Sequence, residues 1–310
     1  MRGARAATRS VDFSETDYSR PQSRVFLRRI SASAYPGNKR ALDASFGRAA
    51  LKGEFERTMA MRAFWASLDR RWRRSGVGMP PLRWKACLFI TLNAVILSML
   101  LFDAPIGASE VPAPVKHLGE MMTGFGDSAW LIFTSILLFF QGRAGYKLVK
   151  TARSKAQALY VSWIGAYLFA TVVFSGLLAN LLKRAIGRAR PDHFYDYGMF
   201  SFTPFSGHAA FESFPSGHST TVGAFFAAFA LLFPRYRVLF IAGAIWLGMT
   251  RVMVGAHYPS DVIAGLAFGG WFSLLTAIVF ARCGLLFKLG PDGWPIAKHF
   301  FPDMKKPGAL

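Results

Sequence analysis

The stretch AQALYVSWIGAYLFATVVFSGLLANLLKRAIGRARP, residues 156–191, runs without a charge from Ala156 to Leu182, then carries Lys183, Arg184, Arg188 and Arg190 before Pro191. A charge-free run of this length exceeds the ~20 residues that cross a bilayer as a helix. Comparable runs cover residues 86–102, 121–141 (broken only by Asp127), 213–234, 238–250 and 262–281. The shortest of them, 238–250, reaches spanning length only if its helix carries Arg251 and Met253 toward the far interface. With 53% hydrophobic and 17% charged residues, the chain is too apolar for an ordinary soluble protein. The expected fold is all-α, an integral membrane bundle of six transmembrane helices.

Orientation follows from the loops, because Lys and Arg accumulate on the cytoplasmic side of short connections. Residues 1–83 hold 18 Lys and Arg against 7 Asp and Glu. Further basic clusters follow the second run (Arg143, Lys147, Lys150, Arg153, Lys155), the fourth (Arg235, Arg237) and the sixth (Arg282, Lys288). All fall on one side if both termini are cytoplasmic. The cations after Leu182 break this pattern, since they fall on the outer face, and binding an anionic phosphate is a reason for them to be there.

Residues 1–55 mix Arg, Ser, Ala and Gly around the breaker Pro36-Gly37 and read as disordered. Residues 56–75 place Met61, Phe64, Trp65, Leu68 and Trp72 at helical spacing among arginines, the pattern of a basic amphipathic helix lying in a membrane interface; a short soluble helix packed on loops has the same stripe. The expected organisation is therefore a basic cytoplasmic N-terminal region, 1–83, a membrane domain, 84–285, and a cytoplasmic tail, 286–310. No cleavable signal peptide is expected. The net charge of +20 is concentrated in the N-terminal region, where anionic lipid headgroups account for it better than nucleic acid does. Cys87 and Cys283 both fall near cytoplasmic span ends, so neither a disulfide nor a zinc site is expected.

Three clusters carry chemistry, each at the edge of an apolar run. Lys183 and Arg190 are separated by close to two helical turns, which would set both on one helix face with Pro191 ending that helix. Pro215-Ser216-Gly217-His218 precedes the fourth run, with Ser216 as N-cap and first-turn amides favouring an anion. Gly217 would let backbone approach a phosphate, and His218 could donate a proton to a leaving oxygen. In the third cluster, Asp261 lies four residues after His257. It could hold one imidazole nitrogen and leave the other as a nucleophile, with Arg251 as a bidentate phosphate clamp. Alone, each has a plainer reading: an interfacial anchor, a capping histidine, a structural His and Asp pair. Phe205-Ser206-Gly207-His208 imitates the second cluster without its proline or its apolar run, so His208 reads as a loop residue. His117, His193 and His299 have no such context.

The spacing of Lys183 to Arg190-Pro191, then Pro215-Ser216-Gly217-His218, then Arg251, His257 and Asp261 resembles the three-part signature of type 2 phosphatidic acid phosphatases, whose superfamily includes bacterial acid phosphatases and vanadium haloperoxidases. The resemblance covers about residues 84–285 and departs at Thr250, where the family usually has Ser. It implies a six-helix membrane core and metal-independent hydrolysis, without a cofactor, through a phosphohistidine on His257. Asp261 would orient that histidine and His218 would act as acid. Lys183, Arg190, Ser216, Gly217 and Arg251 would bind phosphate.

The expected function is a membrane lipid phosphatase acting at the extracytoplasmic face of a bacterial inner membrane. Its candidate substrates are undecaprenyl diphosphate, phosphatidylglycerol phosphate, phosphatidate and lipid A. An anion transporter or channel would use the same charges, but would place them near the bilayer midplane rather than at span ends. An inactive scaffold is disfavoured because every acid, base and cation is in place.

Overall fold

The computed structural model describes residues 38–74 and 84–298. The chain divides into two units, residues 1–64 and 65–310, with the boundary inside helix α1 (Asn38–Arg74). This helix begins directly after Pro36-Gly37, so residues 38–55, expected to be disordered, are helical. Their Ala, Leu, Lys, Arg and Glu content favours that state. The disorder expected for residues 1–37 lies outside the described residues. Within the second unit, the last turns of α1 meet the end of the final long helix. Arg71 Nη1 is 3.4 Å from the Cys283 carbonyl, and the Arg282 guanidinium lies 4.9 Å from the Trp72 ring.

The apolar runs form helices α2 (Trp84–Ser98), α4 (Ser128–Leu148), α5 (Ala152–Ile186), α6 (Gly217–Leu232), α7 (Arg237–Met253) and α8 (Pro259–Arg282), with α3 (Ala113–Thr123) between α2 and α4. Helix α2 continues through a π-helical turn, Met99–Asp103, into a short turn at Ala104–Gly107. The second run is divided rather than continuous. Met121 to Thr123 finish α3, and Asp127 starts α4 by accepting a hydrogen bond from the Ala129 amide (3.1 Å). Helix α7 does run through Arg251 to Met253, as its spanning length required.

Among the described residues, five helical stretches are long and apolar enough to cross a membrane. The exception is α6, with 16 residues and a length of ~24 Å against a hydrocarbon core of ~30 Å. It lies between α5, α7 and α8, so protein covers much of its surface. Where six spans were expected, the described residues form five full-length helical stretches and one short, enclosed helix.

What faces inward confirms the solvent outside. Large apolar side chains point outward, with Phe89, Phe133, Val238 and Leu239 each more than 60% exposed, while Ser135, Ser162, Thr171, Ser175, Thr220 and Ser273 are buried. A soluble domain sorts the other way. In lipid, helices associate by close packing of small residues and by hydrogen bonds. Here Gly265, Gly269, Ser273 and Ala277 recur every four residues along α8. A Cβ on Gly269 would lie 2.1 Å from the Thr220 carbonyl of α6, so only glycine permits that approach. Tyr167 on α5 reaches both the carbonyl and the hydroxyl of Ser273 (3.0 and 2.8 Å). The protein is an integral membrane protein.

Strands β1 (Phe287–Leu289) and β2 (Pro295–Ala297) pair antiparallel, with Phe287 opposite Ala297. Leu286, Phe287 and Ala297 are buried against Tyr167, Leu232, Ala277 and Ala281. Residues 286–298 therefore belong to the bundle rather than to a free tail, because these apolar side chains close the end of α5, α6 and α8 opposite the charged clusters. Residues 299–310 lie outside the described residues.

Candidate active site

Helix α5 ends four residues earlier than Pro191 suggests. Gly187 adopts φ 66°, and its amide caps the Lys183 carbonyl at 2.9 Å. A Cβ there would lie 2.1 Å from the Thr203 carbonyl, so glycine is required both for the backbone turn and for the contact. Beyond it the chain runs extended. Ala189 donates to Ser201 (3.0 Å), Arg190 to Ala210 (2.9 Å), and Ser213 to Arg188 (3.0 Å). Lys183 and Arg190 thus do not share a helix face. The reversal at Gly187 nevertheless keeps Arg190 close enough to Lys183 to repel it.

Of the four cations after Leu182, only these two remain candidates for phosphate. Arg184 is exposed and pairs with Glu212 (3.5 Å). Arg188 is the bulkiest fully buried side chain among the described residues, and its charge is already matched. Its Nη1 donates to Asp261 Oδ1 (2.6 Å) and Ser260 Oγ (2.8 Å), Nη2 to Asp103 Oδ2 (2.8 Å), and Nε to the Met199 carbonyl (3.1 Å). The Tyr258 ring lies 4.3 Å from its guanidinium carbon. Phosphate binding does not explain this arginine; two aspartates do.

Ser216 caps α6 as its position suggests. Its hydroxyl accepts from the Ser219 amide (3.3 Å) and the Ser219 hydroxyl (3.0 Å), while its own amide donates to the Asp261 carbonyl (3.1 Å). Both groups are thereby engaged by protein. The amides of Gly217 and His218 occupy the first turn of α6, where no intrahelical acceptor exists. A Cβ on Gly217 would be 3.5 Å from Lys183 Nζ, so the ammonium faces this helix start.

His257 lies between α7 and α8 and is 3% exposed. Its Nδ1 is 3.7 Å from Asp261 Oδ2, an ion-pair distance too long for a hydrogen bond. That carboxylate oxygen accepts from Ser213 Oγ (2.5 Å) and from the Tyr258 amide (3.0 Å). Pro259 and Asp261 open α8, so the helix start and the carboxylate are one construction. Burial pushes the His257 imidazole below its ordinary pKa; Asp261 opposes that, and Arg251 and Arg190 reinforce it. The neutral form of the ring is thereby favoured. Among the described residues, buried Nδ1 of His257, Nε of Arg190 and Nε of Arg251 have no hydrogen-bond partner, so unsatisfied polar atoms gather in one place.

Two residues of this end were not singled out from sequence. Thr123, at the end of α3, accepts from Arg251 Nη1 (3.0 Å) and lies 3.4 Å from His218 Nε2. It thus joins the proposed acid to the proposed clamp. Asp103, the first residue after the apolar run 86–102, is fully buried, with Oδ1 accepting from the Ser260 amide (3.1 Å). His208 is exposed on its loop.

This end of the bundle therefore collects Lys183, Arg190, Ser216, Gly217, His218, Arg251, His257 and Asp261 from four helices and the segments between them. Residues 164–284 match the PAP2 superfamily. The Lipid A 1-phosphatase of Rhizobium johnstonii is 92% identical over 241 residues, 78% of this chain and 99% of that protein. The chain belongs to the PAP2 superfamily. A second relative, the Lipid A 1-phosphatase of Rhizobium etli, is 90% identical over 232 residues, 75% of this chain and all of that protein. The crystal structure of a transmembrane PAP2 type phosphatidylglycerolphosphate phosphatase from Bacillus subtilis is 22% identical, with a TM-score of 0.42 over 64% of this chain and 94% of that one. This PAP2 protein is a phosphoric ester hydrolase. Thr250, its departure from the family pattern, turns its hydroxyl back to the Leu247 carbonyl (2.7 Å) on α7 and is fully buried.

Proposed function

We propose that this enzyme removes the 1-phosphate of lipid A at the extracytoplasmic face of the bacterial inner membrane, through a phosphohistidine on His257. The chemistry rests on one observation above the rest: a buried histidine beside a carboxylate, faced by arginines whose buried Nε atoms have no partner among the described residues. The choice of lipid rests on the two relatives that are at least 90% identical.

In this mechanism Lys183, Arg190, Arg251 and the first-turn amides of α6 neutralise the phosphate oxygens. Asp261 holds Nδ1, and the other nitrogen, Nε2, attacks phosphorus as the sugar C1 oxygen leaves with a proton from His218. Water then attacks the phosphohistidine, with His218 returning as base. Ser216 serves this site by shaping the helix start that presents the Gly217 amide. The exposed Met61 and Trp65 of α1, among its arginines, suit contact with an anionic leaflet.

Phosphate release should be measured for the detergent-purified protein across bisphosphorylated lipid A, undecaprenyl diphosphate, phosphatidylglycerol phosphate and phosphatidate, with mass spectrometry of the products. Lipid A is expected to be turned over fastest and to retain its 4′-phosphate. Faster release from a prenyl diphosphate, or loss of the 4′-phosphate, would overturn the assigned lipid while leaving the chemistry intact. Phosphate bound but released from none of them would favour an anion carrier.

A further inference from the structure

Arg188 presents a problem that the proposed chemistry does not solve. A buried guanidinium is costly unless paired, and pairing it with Asp261 alone would spend the charge that His257 needs. The structure answers with a second carboxylate from a different helix. Asp103, at the outer end of the α2 stretch, takes Nη2 of Arg188 (2.8 Å), while Asp261 takes Nη1 (2.6 Å), and all three side chains are fully buried. Ser260 closes the set: it accepts from Arg188 (2.8 Å), donates through its hydroxyl to Asp103, and donates through its amide to the other oxygen of Asp103 (3.1 Å). Asp103 and Asp261 lie 158 positions apart, so nothing local requires this arrangement.

We propose that Asp103 and Arg188 are positioning residues for His257: Arg188 anchors Oδ1 of Asp261 so that Oδ2 faces the imidazole, and Asp103 balances the guanidinium so that the three groups together remain negative. The inference rests on the reading of His257 as the nucleophile. Phosphoryl transfer leaves positive charge on the imidazole ring, and a carboxylate fully neutralised by arginine would stabilise that charge poorly. The other groups facing His257 are Arg190 after α5, His218 on α6 and Arg251 on α7, none of which supplies negative charge. The two aspartates are therefore its source.

The test uses the full-length enzyme in detergent, with whichever lipid phosphate of the panel it turns over fastest. Asp103→Asn keeps the side-chain shape and removes one negative charge. Its kcat is expected to fall at least ~10-fold with KM changed less than ~2-fold. The acid limb of its pH profile should move down by about half a pH unit, because His257 loses a negative neighbour. Arg188→Met should move the limb the opposite way, and Ser260→Ala, which alters no charge, should leave it in place. A purely structural role would not produce opposite shifts. Should His257→Ala remain active, the nucleophile assignment itself fails. If His257→Ala is inactive but Asp103→Asn keeps wild-type kcat and limb, the positioning role alone is overturned. Loss of folded protein in both charge variants, with Ser260→Ala folded, would equally overturn it by making the pair a support of the fold.

Discussion

Replacing His257 by alanine is expected to bring phosphate release down to background, a loss of at least ~10⁴-fold in kcat, while the protein still inserts and folds. The residue sits on a connection between α7 and α8, and its Nδ1 makes no hydrogen bond that the fold would miss. Its main chain, not its ring, contributes to the local structure: the His257 amide donates to the Arg251 carbonyl at 3.3 Å. The same residue is expected to set the acid side of the pH dependence. Burial, with Arg251 and Arg190 alongside, lowers the imidazole pKa from its usual value, and Asp261 only partly restores it. If His257 is the nucleophile, the neutral ring is the reactive form, and activity is expected to persist down through the ordinary histidine range. It falls only as pH drops below the depressed pKa, so the acid limb of kcat/KM should lie under about 6.5. An inactive variant that no longer elutes as a folded monodisperse species would leave the fold, not the chemistry, responsible; retained turnover would remove His257 as nucleophile.

The second large effect concerns the clamp. Arg251→Met preserves length and packing while removing a cation that acts against Arg190 and Lys183 across the site. Its kcat/KM should fall by roughly 10²–10³ because the phosphate oxygens lose a donor where charge accumulates in the transition state. The thermal unfolding midpoint should stay level or rise, since like charges held together without an anion strain the folded state. Activity within twofold of wild type would show that Arg251 does not touch the substrate. A lower midpoint would show that it holds the outer end of α7 through Thr123 instead.

The three clusters were legible in the sequence because each is local. A histidine and an aspartate four residues apart, or a serine before an apolar run, announces its geometry through helical spacing and capping. The membrane setting was legible for the same reason, as long charge-free runs have few other uses. What escaped was whatever depends on chain reversals. Ile186-Gly187 marks the end of α5, but Pro191 is a second, more conspicuous stop, and reading it as the end puts Arg190 on one helix face with Lys183, where it does not lie. That choice hid the division of labour between neighbours, since Arg190 faces the site and Arg188 faces two carboxylates. Asp103 went unremarked because nothing within its own segment shows that α8 will bring Ser260 and Arg188 to it. Thr123 had no signal at all, being one hydroxyl inside an apolar run that Asp127 divides.

Length misled where enclosure compensated for it. The run before Pro234 promised a full span, yet α6 stops at Leu232 after 16 residues, because a helix enclosed by α5, α7 and α8 need not match the bilayer. The C-terminal hairpin was hidden for a related reason: two three-residue strands carry too little pattern to show that Leu286 and Phe287 complete the core. Their burial is decided by partners on α5, α6 and α8.

The measurement closest to the centre of this account is the site of covalent phosphate during turnover. Enzyme mixed with lipid phosphate, quenched in alkali and digested, should yield a peptide phosphorylated on His257. The label should be absent from His257→Ala, and in His218→Ala, which lacks the acid of the first step and the base of the second, it should form slowly and, once formed, persist longer than in the wild type. Steady turnover with no phosphopeptide in either the wild type or the His218 variant, or phosphate on any other residue, would contradict it.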